Sequence, residues 1–160
     1  MRDDENGTVP APHSKRLGRE LAMEFLFSCE LKQELPGAEA FDVFMESVRD
    51  EFKLADNRIT RRAREYAVKL YEAVALAQRE IDGIIAKYCY NWDMDRVSPV
   101  DRCIMRVAVA EMRDFPDVPA VVSIDEAVEI ARDFSGADAG NFINGVLNAV
   151  KNGEFAGKKA

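Results

Sequence analysis

The sequence contains few of the residues from which catalytic and metal sites are built. Among its 160 residues there is one histidine, His13, and there are three widely spaced cysteines without a CxxC pair. One histidine excludes most histidine-based metal sites and argues against a Ser-His or Cys-His nucleophile pair. Cys29, Cys89 and Cys103 each lie among apolar residues, which is typical of reduced thiols in a core. We therefore expect no metal site.

The common motifs for phosphate binding, dinucleotide binding and hydrolysis are also missing. The chain has no GxxxxGK[ST], GxGxxG, GxSxG or HExxH. Most carboxylates stand beside Lys or Arg at solvent-facing helical positions, as Glu65 stands near Arg61, which is typical of a solvated face. The sequence therefore predicts a protein without catalysis and without a cofactor.

Long apolar runs and excess positive charge are absent as well. No run approaches the roughly 20 residues needed to cross a bilayer, and residues 1–14 lack a signal-peptide core, so we expect a cytoplasmic protein. The formal net charge is −7. The segments 1–14 and 151–160 carry −2 and +2 and cancel, so the charge belongs to the body at 15–150. Such a body suits a basic protein partner better than RNA alone.

What the chain does contain is apolar residues at helical spacing. Hydrophobic residues make up 48% of the sequence, and no alternating strand pattern occurs. The segment 59–90, punctuated only by Gly83, holds two helices or one bent helix. The pattern predicts an all-α single domain of about seven helices at 15–32, 38–53, 59–90, 98–114, 123–135 and 139–151.

Local signals set the expected helix starts. Ser14 is expected to cap the first helix after a disordered leader at 1–14, and a flexible tail is expected at 151–160. Ser98 followed by Pro99 predicts a capped start. Ser123 with Glu126 matches a capping box.

Two basic clusters are candidates for RNA contact. Lys15, Arg16 and Arg19 lie at the start of the first predicted helix, where a basic segment can reach phosphates, although an ordinary polar helix start is the alternative. In the second cluster, within 58–64, neighbouring acids favour an ordinary solvated surface. Its members are Arg58, Arg61, Arg62 and Arg64.

Several segments together resemble the NusB family of transcription antitermination factors. They are KRLGRELAMEFLFSCEL at 15–31, SPVDRCIMRVAVAEM at 98–112, SIDEAVEIA at 123–131 and FINGVL at 142–147, with Val118, Pro119 and Val122 between them. The resemblance covers 15–150. It implies an all-α fold of two packed helical bundles and no catalysis.

The resemblance also implies partners. NusB proteins pair with the ribosomal protein NusE, bind boxA RNA of ribosomal RNA operons, and join the RNA polymerase elongation complex with other Nus factors. By position, the residues that match the RNA side are Lys15, Arg16, Arg19, Asp138 and Phe142. Asp101 matches an acidic position that faces NusE, and Phe27 stands where relatives commonly have a tyrosine at that interface.

Two alternatives stay open. The same domain resembles an RNA-binding appendage of certain ribosomal RNA cytosine methyltransferases. Some family members also form homodimers that cover the RNA face. The basic stretch of the first helix is interrupted by Leu17 and Gly18, which argues against strong RNA binding by the isolated chain.

Overall fold

A computed structural model describes residues 11–90 and 97–158, with side chains from Ser14 onward. Within these ranges the regular secondary structure is entirely α-helical, without a strand. The helices are α1 Ala11–Lys32, α2 Ala38–Ser47, α3 Arg58–Tyr88, α4 Pro99–Asp114, α5 Ala120–Ser135 and α6 Ala137–Glu154. The predicted all-α class is confirmed. The chain divides after Glu72 into two compact units.

The first unit holds α1, α2 and the beginning of α3 around an aromatic cluster. The Phe25 ring lies 5.0 Å from Phe41, 5.4 Å from Phe44 and 4.8 Å from Tyr71, measured between ring centroids. All four side chains are buried. Each such pair adds about 0.5 to 1.5 kcal/mol to the burial of its apolar area. The cluster therefore fixes the face that α1 turns inward.

The long helix α3 is bent, which is one of the two arrangements that the sequence predicted. Asn57 starts it, because its Oδ1 accepts the Thr60 N–H at 2.9 Å. The break lies at Ala77, whose φ of −134° and ψ of 27° are not helical. Gly83, the expected site of interruption, lies within the second half. Counted as two halves, α3 brings the helices to the predicted seven.

In the second unit, α4 packs against both α5 and α6, which also pack against each other, and it is buried nearly all round. Two of its charged residues, Arg106 and Glu111, are buried with partners. The Arg106 guanidinium donates to both carboxylate oxygens of Asp82, at 2.7 and 2.9 Å. The Ser123 hydroxyl donates to Glu111 Oε1 at 2.7 Å. Pairing of this kind offsets the cost of burying a charge.

The predicted helix starts have different outcomes. Ser98 caps α4 as expected, accepting the Asp101 N–H at 3.1 Å with Pro99 as the first helical residue. The capping box at Ser123 is wrong. The helix α5 begins earlier, at Ala120 after Pro119, and the Ser123 hydroxyl is used to satisfy the buried Glu111 instead.

The ends of the chain also differ from expectation. The helix α1 begins at Ala11, so Ser14 is buried inside the helix and does not cap it. Pro12 suits this first helical turn, because its missing N–H costs nothing there. At the other end α6 extends to Glu154. The rest of the predicted leader, residues 1–10, and the last two residues of the tail lie outside the described residues.

The predicted helix at 38–53 is shorter than expected. It ends at Ser47, and hydrogen-bonded turns replace it up to Lys53, where φ is positive. The apolar positions Phe41, Phe44 and Met45 are buried as the spacing predicted.

Candidate functional site

The basic stretch of α1 contains three cations in three different surroundings. Arg16 is partly exposed and pairs with Glu20 one turn later, with Nε 3.2 Å from Oε2. Lys15 is partly exposed, and its Nζ lies 5.6 Å from the centroid of the Tyr66 ring. Arg19 is only 4% exposed, and its Cζ lies 5.7 Å from the same ring. In this conformation Lys15 and Arg16 are the members that an incoming phosphate can reach.

Two arginines of the second basic cluster pair with acids of their own unit. Arg61 donates to Asp56 at 3.2 Å. Arg64 pairs with Asp42, and its guanidinium lies 5.3 Å from the centroid of the Phe41 ring. Both partner acids come from preceding segments of the chain. These pairs favour the solvated-surface interpretation of Arg61 and Arg64.

A concave pocket of about 440 Å³ lies in the second unit, where α4 begins, α5 ends and α6 begins. It brings together three of the predicted site residues, namely Asp101, Asp138 and Phe142. The other lining residues are Val97, Ser98, Ser135 and Ala139. The pocket thus combines two carboxyl groups with an aromatic ring and small side chains.

Two local features of the chain build this pocket. The Ser98 cap and Pro99 fix the first turn of α4, which carries Asp101. Gly136 joins α5 to α6 with a φ of 103°, a backbone conformation that residues with a side chain rarely adopt. Its N–H bonds to the carbonyls of Ala131 and Arg132, which ends α5 and lets α6 start at once. Asp138 and Phe142 follow on the first turns of α6.

Asp101 is the unusual member of the pocket. Its side chain is 9% exposed, and its Oδ1 has no hydrogen-bond partner among the described residues. An unsatisfied buried polar atom costs about 1 to 3 kcal/mol. The first turn of α4 offsets part of this cost, because the positive end of a helix favours a carboxylate. Oδ1 can therefore accept a hydrogen bond from a donor on another molecule, above all a cationic one.

The other predicted site residues have ordinary surroundings. Asp138 is exposed in the first turn of α6, and Gly136, not Asp138, is the cap of that helix. Phe142 is partly exposed in the pocket wall. Phe27 is partly buried on α1, in the first unit. Sequence reasoning missed Tyr66, and the signal that could have indicated it is Gly18, which leaves room for a close approach to the Tyr66 side chain.

The thiols and carboxylates outside the pocket have the surroundings of structural groups. All three cysteines are free and buried, and burial raises the pKa of the Cys29 thiol to about 11. Burial, reinforced by Glu51 and Glu20, raises the pKa of Glu24. Across residues 11–90 and 97–158, no cluster of three His, Cys, Asp or Glu side chains could hold a metal ion. No helix in those ranges is long and apolar enough to span a membrane.

Comparison with known proteins agrees with the helical arrangement. Residues 16–152 match the model of the NusB family. The transcription antitermination protein NusB of Desulfotalea psychrophila is 39% identical over 142 residues, which cover 86% of this chain and 94% of that protein. The corresponding protein of Acetivibrio thermocellus is 35% identical over 136 residues, 85% and 87% of the two chains.

A solved structure shows the same likeness. A chain from the crystal structure of antitermination factors NusB and NusE in complex with double-stranded RNA superposes with a TM-score of 0.73. The sequences are 29% identical, and the match covers 87% of this chain and 96% of that one. The helical fold and these likenesses define a small all-helical protein similar to the antitermination factors. The chain belongs to the NusB family.

Proposed function

We propose that this protein is a non-catalytic, RNA-binding transcription antitermination factor that acts together with the ribosomal protein NusE. The observation that carries the proposal is the likeness to a chain from a complex of NusB, NusE and double-stranded RNA. The RNA that it binds is the boxA element of ribosomal RNA operons. The pair joins the RNA polymerase elongation complex through other Nus factors.

The protein partner meets the chain at Asp101, and Phe27 contributes an apolar contact. The unsatisfied Oδ1 of Asp101 supports this assignment, because a basic partner can supply the missing donor. The net charge of −7 also favours a basic partner by long-range attraction.

The RNA meets the basic stretch of α1 and the α6 edge of the pocket. Lys15 and Arg16 are accessible enough to contact phosphates, while the buried Arg19 adds positive potential behind them. The ring of Phe142 is suited to stacking on a base. Asp138 lies beside it as a negative charge that weakens phosphate binding. An acidic chain with one basic stretch needs its basic partner to bind RNA tightly.

Titration of a fluorescent boxA oligonucleotide with the chain alone, with NusE alone and with the mixture tests the proposal. We expect the mixture to bind most tightly, and a scrambled oligonucleotide to bind more weakly. Equal binding of both oligonucleotides would contradict the boxA assignment. Sedimentation of the chain before and after NusE is added tests the homodimer alternative, which requires a dimer that dissociates on addition of NusE.

A further inference from the structure

The ring of Tyr66, on α3, is shared by two cations of α1. Lys15 Nζ and Arg19 Cζ lie 5.6 and 5.7 Å from the ring centroid, both within the range of a cation–π interaction. The two residues are four positions apart and therefore lie on one face of α1. Two like charges on one helical turn repel each other, and the electron-rich face of an aromatic ring offsets that repulsion.

Gly18 makes this arrangement sterically possible. A Cβ placed on Gly18 would lie 3.0 Å from the Tyr66 Cβ and 3.0 Å from the Ala63 carbonyl oxygen. Such distances are shorter than ordinary van der Waals contact, so a side chain here would require Tyr66 or the α3 backbone to move by a few tenths of an ångström. The glycine that interrupts the basic stretch is thus the residue that lets Tyr66 reach it.

The two cations differ in what they can do for a ligand. Arg19 is 4% exposed, so its guanidinium stays with the ring and the neighbouring protein groups. Lys15 is partly exposed, so its ammonium can touch the ring and still meet a phosphate. Lysine has one of the largest side-chain entropies to lose on binding, and a ring that restricts it beforehand reduces that cost.

We propose that Tyr66 is a positioning residue for RNA binding, acting through Lys15 without touching RNA itself. Arg19 anchors the ring, and Lys15 is held at the surface as a preorganised phosphate contact. This inference rests on the proposed function and adds to it a residue outside the basic stretch. It also separates the three basic residues into one anchor, Arg19, and two contacts, Lys15 and Arg16.

Substitutions at Tyr66 test the proposal in the complex with NusE and boxA RNA. Tyr66→Phe keeps the ring, and its RNA affinity should stay within about twofold of wild type. Tyr66→Leu removes the ring, and RNA affinity should fall about three- to tenfold while NusE affinity is unchanged. Lys15→Ala should cause a similar loss alone and no additional loss when it is combined with Tyr66→Leu. If the loss of RNA affinity in the double variant equals the product of the two single losses, the proposal is wrong.

A control separates positioning from stability. Phe44→Leu alters the aromatic cluster of the same unit, destabilises it and leaves both cations in place, so RNA affinity should be normal at temperatures where the variant is folded. In NMR spectra, the Lys15 methylene protons should show a ring-current shift in wild type and Tyr66→Phe, and lose it in Tyr66→Leu.

Wild-type RNA affinity in Tyr66→Leu, or an equal loss in Phe44→Leu, would also overturn the inference alone. A wild-type heterodimer that does not bind RNA would instead overturn the proposed function and this inference with it. The outcomes are therefore distinguishable by the behaviour of the wild-type complex.

Discussion

Asp101 and Asp138 line one pocket, although they belong to the first turns of two different helices. The sequence assigned them to different partners, Asp101 to the protein and Asp138 to the RNA. Their proximity means that a cation bound at one carboxyl group also acts on the other. Substitutions at these two positions should therefore be measured against both partners.

Asp101→Asn should weaken binding to NusE by roughly 1 to 3 kcal/mol, because an amide cannot match the attraction of a carboxylate for a basic group. The free chain should lose only the dipole interaction of the first turn of α4, about 0.3 to 1 kcal/mol, since Oδ1 has no hydrogen bond to lose within the described residues. Calorimetric titration and thermal unfolding measure the two effects. Asp117→Asn, at an exposed position in the loop after α4, is the matched control. Unchanged NusE affinity in Asp101→Asn would remove this residue from the interface.

Asp138→Asn should raise the RNA affinity of the heterodimer about twofold or more at low salt, and less at high salt, because it removes a negative charge near phosphates. The first turn of α6 loses a favourable dipole interaction of about 0.3 to 1 kcal/mol, so stability should fall slightly. Asp125→Asn, on an exposed face of α5, should change neither quantity. Weaker RNA binding by Asp138→Asn would show that the RNA lies elsewhere.

Arg16→Ala should make the dependence of log affinity on log salt shallower by about 0.7 to 0.9, the contribution of one phosphate contact. Arg61→Ala removes an exposed arginine that is paired with Asp56 and should leave the slope unchanged. Fluorescence titrations of the heterodimer at several salt concentrations measure both slopes. If the two variants behave alike, the start of α1 has no special role in RNA binding.

Ser123→Ala should destabilise the chain by about 1.5 to 3 kcal/mol, because it removes a hydrogen bond to the fully buried Glu111. Urea unfolding measures the change. Ser47→Ala removes an exposed hydroxyl that bonds only to its own helix, and it should cost less than about 0.5 kcal/mol. A similarly small effect at Ser123 would mean that Glu111 is satisfied without the hydroxyl.

The helix signals show how far local sequence reasoning extends. The Ser98 cap was predicted correctly because cap, proline and acid all act within one turn. The Ser123 signal had the same local form, yet its hydroxyl serves Glu111, which lies on another helix. A motif cannot reveal a competing partner that is distant in sequence.

The candidate site was also predictable only in part. Resemblance to the family supplied Asp101, Asp138 and Phe142 as separate positions, and the pocket that joins them was not predictable from spacing. Within the basic stretch, three residues of similar type proved to have unlike exposures. Helical periodicity assigns Tyr66 only to a helix face, and its place beside two cations depends on how α1 and α3 pack.

The sequence by itself determined the all-α class, most of the buried helix faces, the capped start of α4 and the absence of the common catalytic motifs. These features depend on helical periodicity and on interactions within one turn, which neighbouring residues fully specify. Only the tertiary structure decided that Asp101 Oδ1 has no hydrogen-bond partner among the described residues, that Arg19 is buried while Lys15 is accessible, and that Gly18 admits Tyr66. Those properties depend on side chains brought together from different helices, and the desolvation that gives them their energy arises only when the helices pack.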